Sequence, residues 1–107
     1  MLLNDQLTLI ARTYSKDDYG IQRATETETT IYCDASSIGA GEFYEAAQTG
    51  LQPQLKFIVL NTEYDGQTLV RFRGQDLSVY RTYRRSRDYL ELYTERKQGD
   101  NGGQGIK

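Results

Sequence analysis

The chain has 107 residues, a formal net charge of −2, one cysteine and no histidine. That length suits one core rather than two, with a net stability of roughly 5–15 kcal/mol. Without histidine and with Cys33 alone, an intrachain disulfide, a zinc-finger-like cluster and a Ser-His-Asp or Cys-His catalytic unit are all excluded, so neither a cofactor nor an enzymatic activity is expected.

The opening MLLNDQLTLIART has no basic start followed by an apolar run of signal length, and nowhere do 18 apolar residues follow one another. A soluble, unexported protein without membrane contact is expected. Nine tyrosines, three phenylalanines and frequent threonine beside a single proline favour strands joined by tight turns. Residues 5–14, DQLTLIARTY, place Leu7, Leu9 and Ala11 on one face and Thr8, Ile10 and Arg12 on the other, which predicts a first strand with a wetter outer side. KDDYG then reads as a turn. Residues 25–38, TETETTIYCDASSI, put Ile31, Cys33 and Ala35 at period two behind a Thr-rich half, predicting a second strand whose start is exposed and protrudes. Cys33 on that strand is expected to be a small buried thiol rather than a reactive one.

After Gly39-Ala40-Gly41 comes EFYEAAQTG, with good helix formers at Glu45, Ala46, Ala47 and Gln48 but too few of them to hold a helix unaided. A short helix that needs tertiary or partner support is predicted. Gly39 and Gly41 have no Lys-Ser/Thr after them, so they read as a hinge and not as a phosphate cradle. LQPQLKFIVLNT gives a third strand with Pro53 at its beginning, where a missing donor is tolerated. Asp65-Gly66 between LKFIVL and TLVRFRG predicts a hairpin, RGQD at 73–76 repeats the device, and DLSVYRTYRR pairs with DYLELYT across SRD.

Three successive hairpins predict a meander. Six strands with so little helix predict a mainly β fold: a small six-stranded antiparallel barrel or sandwich over residues 1–95, with one short helix between strands 2 and 3 flanking one end. Residues 96–107 form a polar, Gly-rich tail, expected to be disordered in isolation.

The charges are sorted along the chain. Residues 1–50 hold eight acids against three bases, a balance of −5, and residues 51–107 hold ten bases against seven acids, a balance of +3. Either an acidic surface of one copy meets a basic surface of the next, as in head-to-tail rings, or folding interleaves the halves and cancels the asymmetry. The densest cluster is VYRTYRRSRDYLELY, where Arg81, Arg84, Arg85 and Arg87 alternate with Tyr80, Tyr83, Tyr89 and Tyr93. Rings that stack on bases and guanidinium groups that hold phosphates would make an OB-like single-strand nucleic-acid platform. A slightly acidic protein fits better with these arginines forking onto carboxylates of a neighbouring chain, for which acidic first-half residues such as Asp17 and Asp18 are available. Asp17-Asp18 and Glu26 with Glu28 have no companion at metal-ligand spacing and read as solvated faces.

EFYEAAQTGLQPQLKF, then YDG, then YRTYRR and the closing DYLELY, resemble the small head-closure proteins of tailed bacteriophages with long non-contractile tails, also called head-tail joining, adaptor or stopper proteins. The match runs from about Leu7 to Thr94. Its most telling parts are Glu42-Phe43-Tyr44 through Gly50-Leu51, and Tyr80-Arg81-Thr82-Tyr83 before Leu90-Glu91-Leu92-Tyr93. The resemblance implies a structural virion neck protein: a small antiparallel β-barrel assembled as a homo-oligomeric, dodecameric ring. It would form in the host cytoplasm and lie between the portal-adaptor ring above and a tail completion or terminator protein below. Such a ring helps close the channel over packaged double-stranded DNA and offers the tail its docking surface. The family's segment between the second and third strands, here 36–53, lies toward that channel. Gly39, Gly41, Glu42, Glu45, Gln48, Thr49 and Gly50 are then the channel-facing residues expected to take part in gating. Phe43 and Tyr44 are expected to anchor the helix to the barrel, and Arg81, Arg84, Arg85, Arg87, Asp17 and Asp18 to serve subunit or partner contacts. Glycine hinges beside a weak helix suit a part that moves when DNA passes.

Overall fold

The computed structural model describes residues 2–97. In chain order these form β1 (Asp5–Lys16), β2 (Gln22–Ser37), α1 (Ala40–Gln48), β3 (Pro53–Leu60), a 3-10 turn (Asn61–Glu63), β4 (Leu69–Phe72), β5 (Gln75–Arg84) and β6 (Tyr89–Arg96). All strand pairs are antiparallel, and the sheet closes in the order β1-β2-β3-β6-β5-β4. The fold is the expected mainly β, six-stranded barrel with one short helix between strands 2 and 3. Of the expected tail, Arg96 ends β6 and residues 98–107 lie outside the described residues.

Period two builds the core. Leu7 and Leu9 of β1, Ile31 and Cys33 of β2, Phe57 and Val59 of β3, Val70 and Phe72 of β4, Leu77 of β5 and Leu92 of β6 all point into the barrel and form one cluster. Phe57 meets Phe72 edge-on across the barrel, with ring centroids 4.9 Å apart, a geometry that aromatic quadrupoles favour. Cys33 is fully buried, as expected. Burial first, then the charges of Asp5 and Asp34, push its thiol up to about 12, so the thiolate that reacts is not formed at neutral pH.

Thr94 of β6 sits between two bulges. On one side the pairing slips between Pro53 and Lys56, on the other between Val79 and Arg81. Each slip inserts one residue and locally turns the strand. The Thr94 hydroxyl is fully buried, donates to the Leu55 carbonyl at 2.8 Å and accepts from the Leu55 amide at 3.4 Å. A side chain thus satisfies backbone groups that the bulge takes out of the ladder. The second bulge adds Tyr80 to β5 and is what brings Tyr80 and Arg81 to bear on one carboxylate, described below.

Two local expectations are corrected. The Asp65-Gly66 hairpin does not form: β3 pairs with β2 and β6, whereas β4 pairs with β1 and β5. The chain crosses the barrel mouth from β3 to β4. That crossover is organised by its own contacts, Tyr64 Oη to the Gln67 carbonyl at 2.6 Å, the Asp65 amide to Gln67 Oε1 at 2.8 Å and the Asn61 amide to the Asp88 carbonyl at 2.7 Å. Gly66 does take the positive φ that its sequence predicts, inside the crossover. The meander is confined to β4-β5-β6. The second correction is Ile10, placed on the wet face of β1 but 3 % exposed; it lies on the outside of the barrel, at the edge of the cleft that the crossover makes with β1.

The β1–β2 hairpin keeps an unbroken register from Asp5↔Cys33 to Lys16↔Gln22. Only its lower part belongs to the barrel. β1 joins β4 through Thr8–Ile10 alone, and β2 joins β3 through Asp34–Ser37 alone. The rest is a two-stranded arm whose residues 22–30 are all exposed, in agreement with a protruding second strand. Its tip is tied by Asp17, whose carboxylate accepts from the Tyr19 and Ile21 amides, both at 2.9 Å, and from Arg23 Nε at 3.1 Å.

Candidate functional site

The helix and the β5–β6 hairpin, 38 residues apart in sequence, meet at Glu42. Tyr80 Oη donates to its carboxylate at 2.9 Å, and Arg81 grips both oxygens through Nη2 at 2.7 Å and Nε at 3.4 Å. The Arg81 guanidinium lies over the Tyr93 ring, 4.0 Å from its centroid, and Tyr80 tilts against the same ring at 6.4 Å. Tyr93 Oη donates to Glu91 Oε1 at 2.7 Å, and Arg85 Nη1 reaches Glu91 Oε2 at 2.8 Å. A continuous chain of polar contacts therefore runs along the outside of the barrel from the first turn of α1 to the tip of the β5–β6 hairpin.

The electrostatics follow from burial and pairing. Burial would raise the Glu91 carboxyl, but the Tyr93 hydroxyl, Arg85 and the charge of Lys56 outweigh it and hold the group below its ordinary value. Burial, and then the Glu42 carboxylate, raise the Tyr80 hydroxyl; burial and Glu91 do the same for Tyr93. Both phenols stay protonated and act as donors. Burial works against the Arg81 cation, yet Glu42 more than compensates and its pKa is raised.

This contact decides how α1 sits. Ala46, four residues after Glu42 and on the same stripe, is the helix's buried residue, so the helix approaches on a carboxylate and a methyl. Phe43 and Tyr44, expected as anchors, are instead 48 % and 65 % exposed. Glu45, Gln48, Thr49 and Gly50 are exposed with them, whereas Glu42 is held against the barrel. The helix ends in a Schellman arrangement. The Leu51 amide donates to the Ala46 carbonyl at 3.2 Å and the Gly50 amide to the Ala47 carbonyl at 3.1 Å, with Gly50 at φ +91°. Gly50 is needed for that backbone. Gly39 has φ −61° as the N-cap and Gly41 lies within the helix, and a Cβ at either would meet open space, so neither needs to be glycine in this conformation.

The basic hairpin is less free than its composition suggests. Arg84 donates to the Ser86 and Arg87 carbonyls at 3.2 and 3.0 Å, closing its own turn. Arg85 is committed to the buried Glu91. Arg87 is exposed at the turn, as is Asp18 at the tip of the arm, while Asp17 is occupied by that turn. Across the molecule, Arg71 pairs with Glu28, Arg73 with Asp5 and Arg81 with Glu42. Basic residues of the second half therefore meet acids of the first half within one chain. Sequence reasoning named Arg81 and Glu42 without joining them and gave no role to Glu91 or Thr94. The outward row Glu91 and Tyr93, two apart on a strand, was the available signal.

Open clefts lie elsewhere. One is between Ile10 and Tyr14 of β1 and the 65–69 stretch, and another between Asp5 and the Arg73-Gly74 turn. Neither cleft is lined by the Glu42 cluster, which ties the first turn of α1 to β5 through Tyr80 and Arg81. No protein-family model and no curated protein matches the chain.

Proposed function

We propose that this chain is a structural, non-enzymatic ring subunit of a long-tailed bacteriophage neck. It would lie between the portal-adaptor and the tail, help close the DNA channel after packaging and offer the tail its docking surface. One observation carries the reading. The two segments on which the resemblance to head-closure proteins rests, Glu42–Leu51 and Tyr80–Tyr93, meet in one cluster through Glu42, Tyr80, Arg81 and Tyr93. Two segments distant in sequence that together clamp one helix onto one barrel are what such a ring subunit needs to hold its channel-side helix in place. The expected barrel, with its helix between strands 2 and 3, is consistent with the same family.

On this reading the helix's job is to present its outer face, Phe43, Tyr44, Glu45 and Gln48, toward copies of itself and the channel, while Glu42 fixes its base. Glu45 would repel phosphate and Gln48 and Thr49 would let DNA pass without gripping it. Movement then requires release of the clamp, since Tyr80 and Arg81 hold Glu42 in the helix's first turn.

The single-strand nucleic-acid reading is the weaker one, because Arg81 and Arg85 already pair with Glu42 and Glu91 within the chain. Electron micrographs of purified phage particles labelled for this protein test the proposal. Label at the head-tail junction is expected. Label confined to the capsid surface or the tail tip, or particles that join heads to tails without the protein, would overturn it.

A further inference from the structure

The arm poses a physical problem that its own contacts do not solve. A two-stranded ribbon is marginal in water, yet this one runs past the barrel with both edges unpaired among the described residues, at 11–16 of β1 and 22–33 of β2. Open edges invite other strands. Proteins that only need to repel such pairing place like charge, often lysine, on the edges. Here the two edges carry opposite charge.

The register shows this directly. Core-facing Leu7 and Leu9 put the even-numbered residues of β1 on the outer face, and the pairs Arg12↔Glu26 and Ile10↔Glu28 put the even-numbered residues of β2 beside them. The outer row of the β1 arm is Arg12, Tyr14 and Lys16, basic with an exposed ring. The outer row of the β2 arm holds Glu26 and Glu28, acidic, each half-exposed and each also touching a base of its own chain, Arg12 and Arg71. On the inner face Ala11 and Thr13 lie opposite Thr27 and Thr25, small and mostly hydroxylated, and Ser15 lies opposite Arg23, whose charge is met by Asp17 of the arm's own turn.

We propose that the β1 edge of one copy's arm pairs with the β2 edge of the next copy's arm, so that successive arms join into a closed crown of strands. The inference rests on the ring reading above and names the contact that makes the ring. Copies related by rotation about an axis along the arms automatically set β1 of one antiparallel to β2 of the next. Arg12 then stands between its own Glu26 and a neighbour's acidic row, giving an alternating ladder of charge. Pairing β1 with β1 would face Arg12 and Lys16 with themselves, and β2 with β2 would face glutamates with glutamates. The charge pattern therefore selects the head-to-tail contact that closes rings over the two-fold contact that makes dimers. Each arm supplies about 10 Å of circumference, two strands at about 4.8 Å each, whereas the molecule's smaller dimensions are 34 and 22 Å. The crown accordingly lies nearer the axis than the barrels.

Two variants of the full chain test this. Arg12→Glu with Lys16→Glu makes both rows acidic; Glu26→Lys with Glu28→Lys makes both rows basic. Light scattering after size exclusion at low salt should show a multi-copy species for the wild type, loss of that species for each variant alone, and its return when the two are mixed in equal amounts. Within each variant arm the like-charge clash persists on mixing, so recovery reports contact between chains. Near-UV circular dichroism establishes that each variant keeps its barrel. Should either fail to fold, a chain in which residues 12–26 are replaced by Asn-Gly keeps the Ala11↔Thr27 register, removes the arm at its base and is expected to be monomeric. Variants that assemble alone as well as the wild type, or an arm-less chain that still assembles, would overturn the crown and leave the ring reading standing. A wild type that stays monomeric would overturn the crown as well, and particle labelling would then judge the ring reading by itself.

Discussion

Along the single β1–β2 hairpin, one register serves two environments. Near the barrel, Leu7 and Leu9 face Ile31 and Cys33 in the core, at most 5 % exposed. Farther along, the same inner row continues as Ala11, Thr13, Thr25 and Thr27, nearly all of it open to solvent. Backbone pairing is the same in both halves, so the ladder does not distinguish them. What changes is the side-chain row, and with it the free energy that burial supplies, about 25 cal/mol per Å² of apolar surface removed from water. Stability therefore resides in the barrel, and the arm is a surface held out by it.

Truncation should expose that contrast most strongly. Phe57 is fully buried and packs on Phe72, so Phe57→Ala should cost about 3–5 kcal/mol through lost transfer and cavity terms. Thr27→Ala in the arm should stay within about 0.5 kcal/mol. Urea unfolding followed by tyrosine fluorescence measures both. Comparable losses would mean that the arm is part of the cooperative core.

The next largest effect tests the bulges. Thr94→Val keeps shape but removes the hydroxyl that serves the Leu55 amide and carbonyl. Leaving those buried groups without a partner should cost about 1–3 kcal/mol. A neutral Thr94→Val would show that water or a relaxed strand replaces the hydroxyl. Gly50→Ala follows. Its Cβ meets no atom, so the cost is that of a left-handed L-residue alone, about 1–2 kcal/mol. Because α1 touches the barrel through little more than Glu42 and Ala46, amide exchange should quicken in 43–51 before the global unfolding midpoint moves appreciably.

The barrel and its elements were legible because period two and turn residues are local signals, and Leu7, Leu9, Ile31, Cys33 and Phe57 obey them. The crossover was not legible. Asp65-Gly66 specifies a backbone turn but not which strand comes next to which; closing the barrel requires β4 beside β1, and no short-range pattern encodes that. Phe43 and Tyr44 do not anchor the helix, being 48 % and 65 % exposed. What docks it is a carboxylate at i and a small residue at i+4, and Glu42 has value only once the bulge at Tyr80 has turned two donors toward it. The clamp is a property of register, and register is set by the whole sheet.

Acid titration gives the smallest and most local version of the comparison, with one carboxylate in each region. Glu91, in the barrel wall, is held below the ordinary value of 4.5 with burial opposed by Tyr93 and Arg85. Asp17, at the arm tip, is held below 3.8 chiefly by the Ile21 amide, against burial and with help from Tyr19 and Arg23. Both are lowered in the folded state, so each contributes stability that is present above its unfolded value and is lost as pH falls through its folded value. For Glu91 that loss belongs to the cooperative unit. The wild-type unfolding midpoint should fall relative to Glu91→Gln as pH drops below about 4.5, with the difference between the two proteins shrinking through that window. For Asp17 the loss belongs to a turn that opens without the barrel. Asp17→Asn should leave the unfolding midpoint nearly unchanged across the same window and instead speed exchange of the Ile21 amide at neutral pH. If Asp17→Asn shifts the midpoint as much as Glu91→Gln does, the arm tip is coupled to the core and the division between the two regions fails.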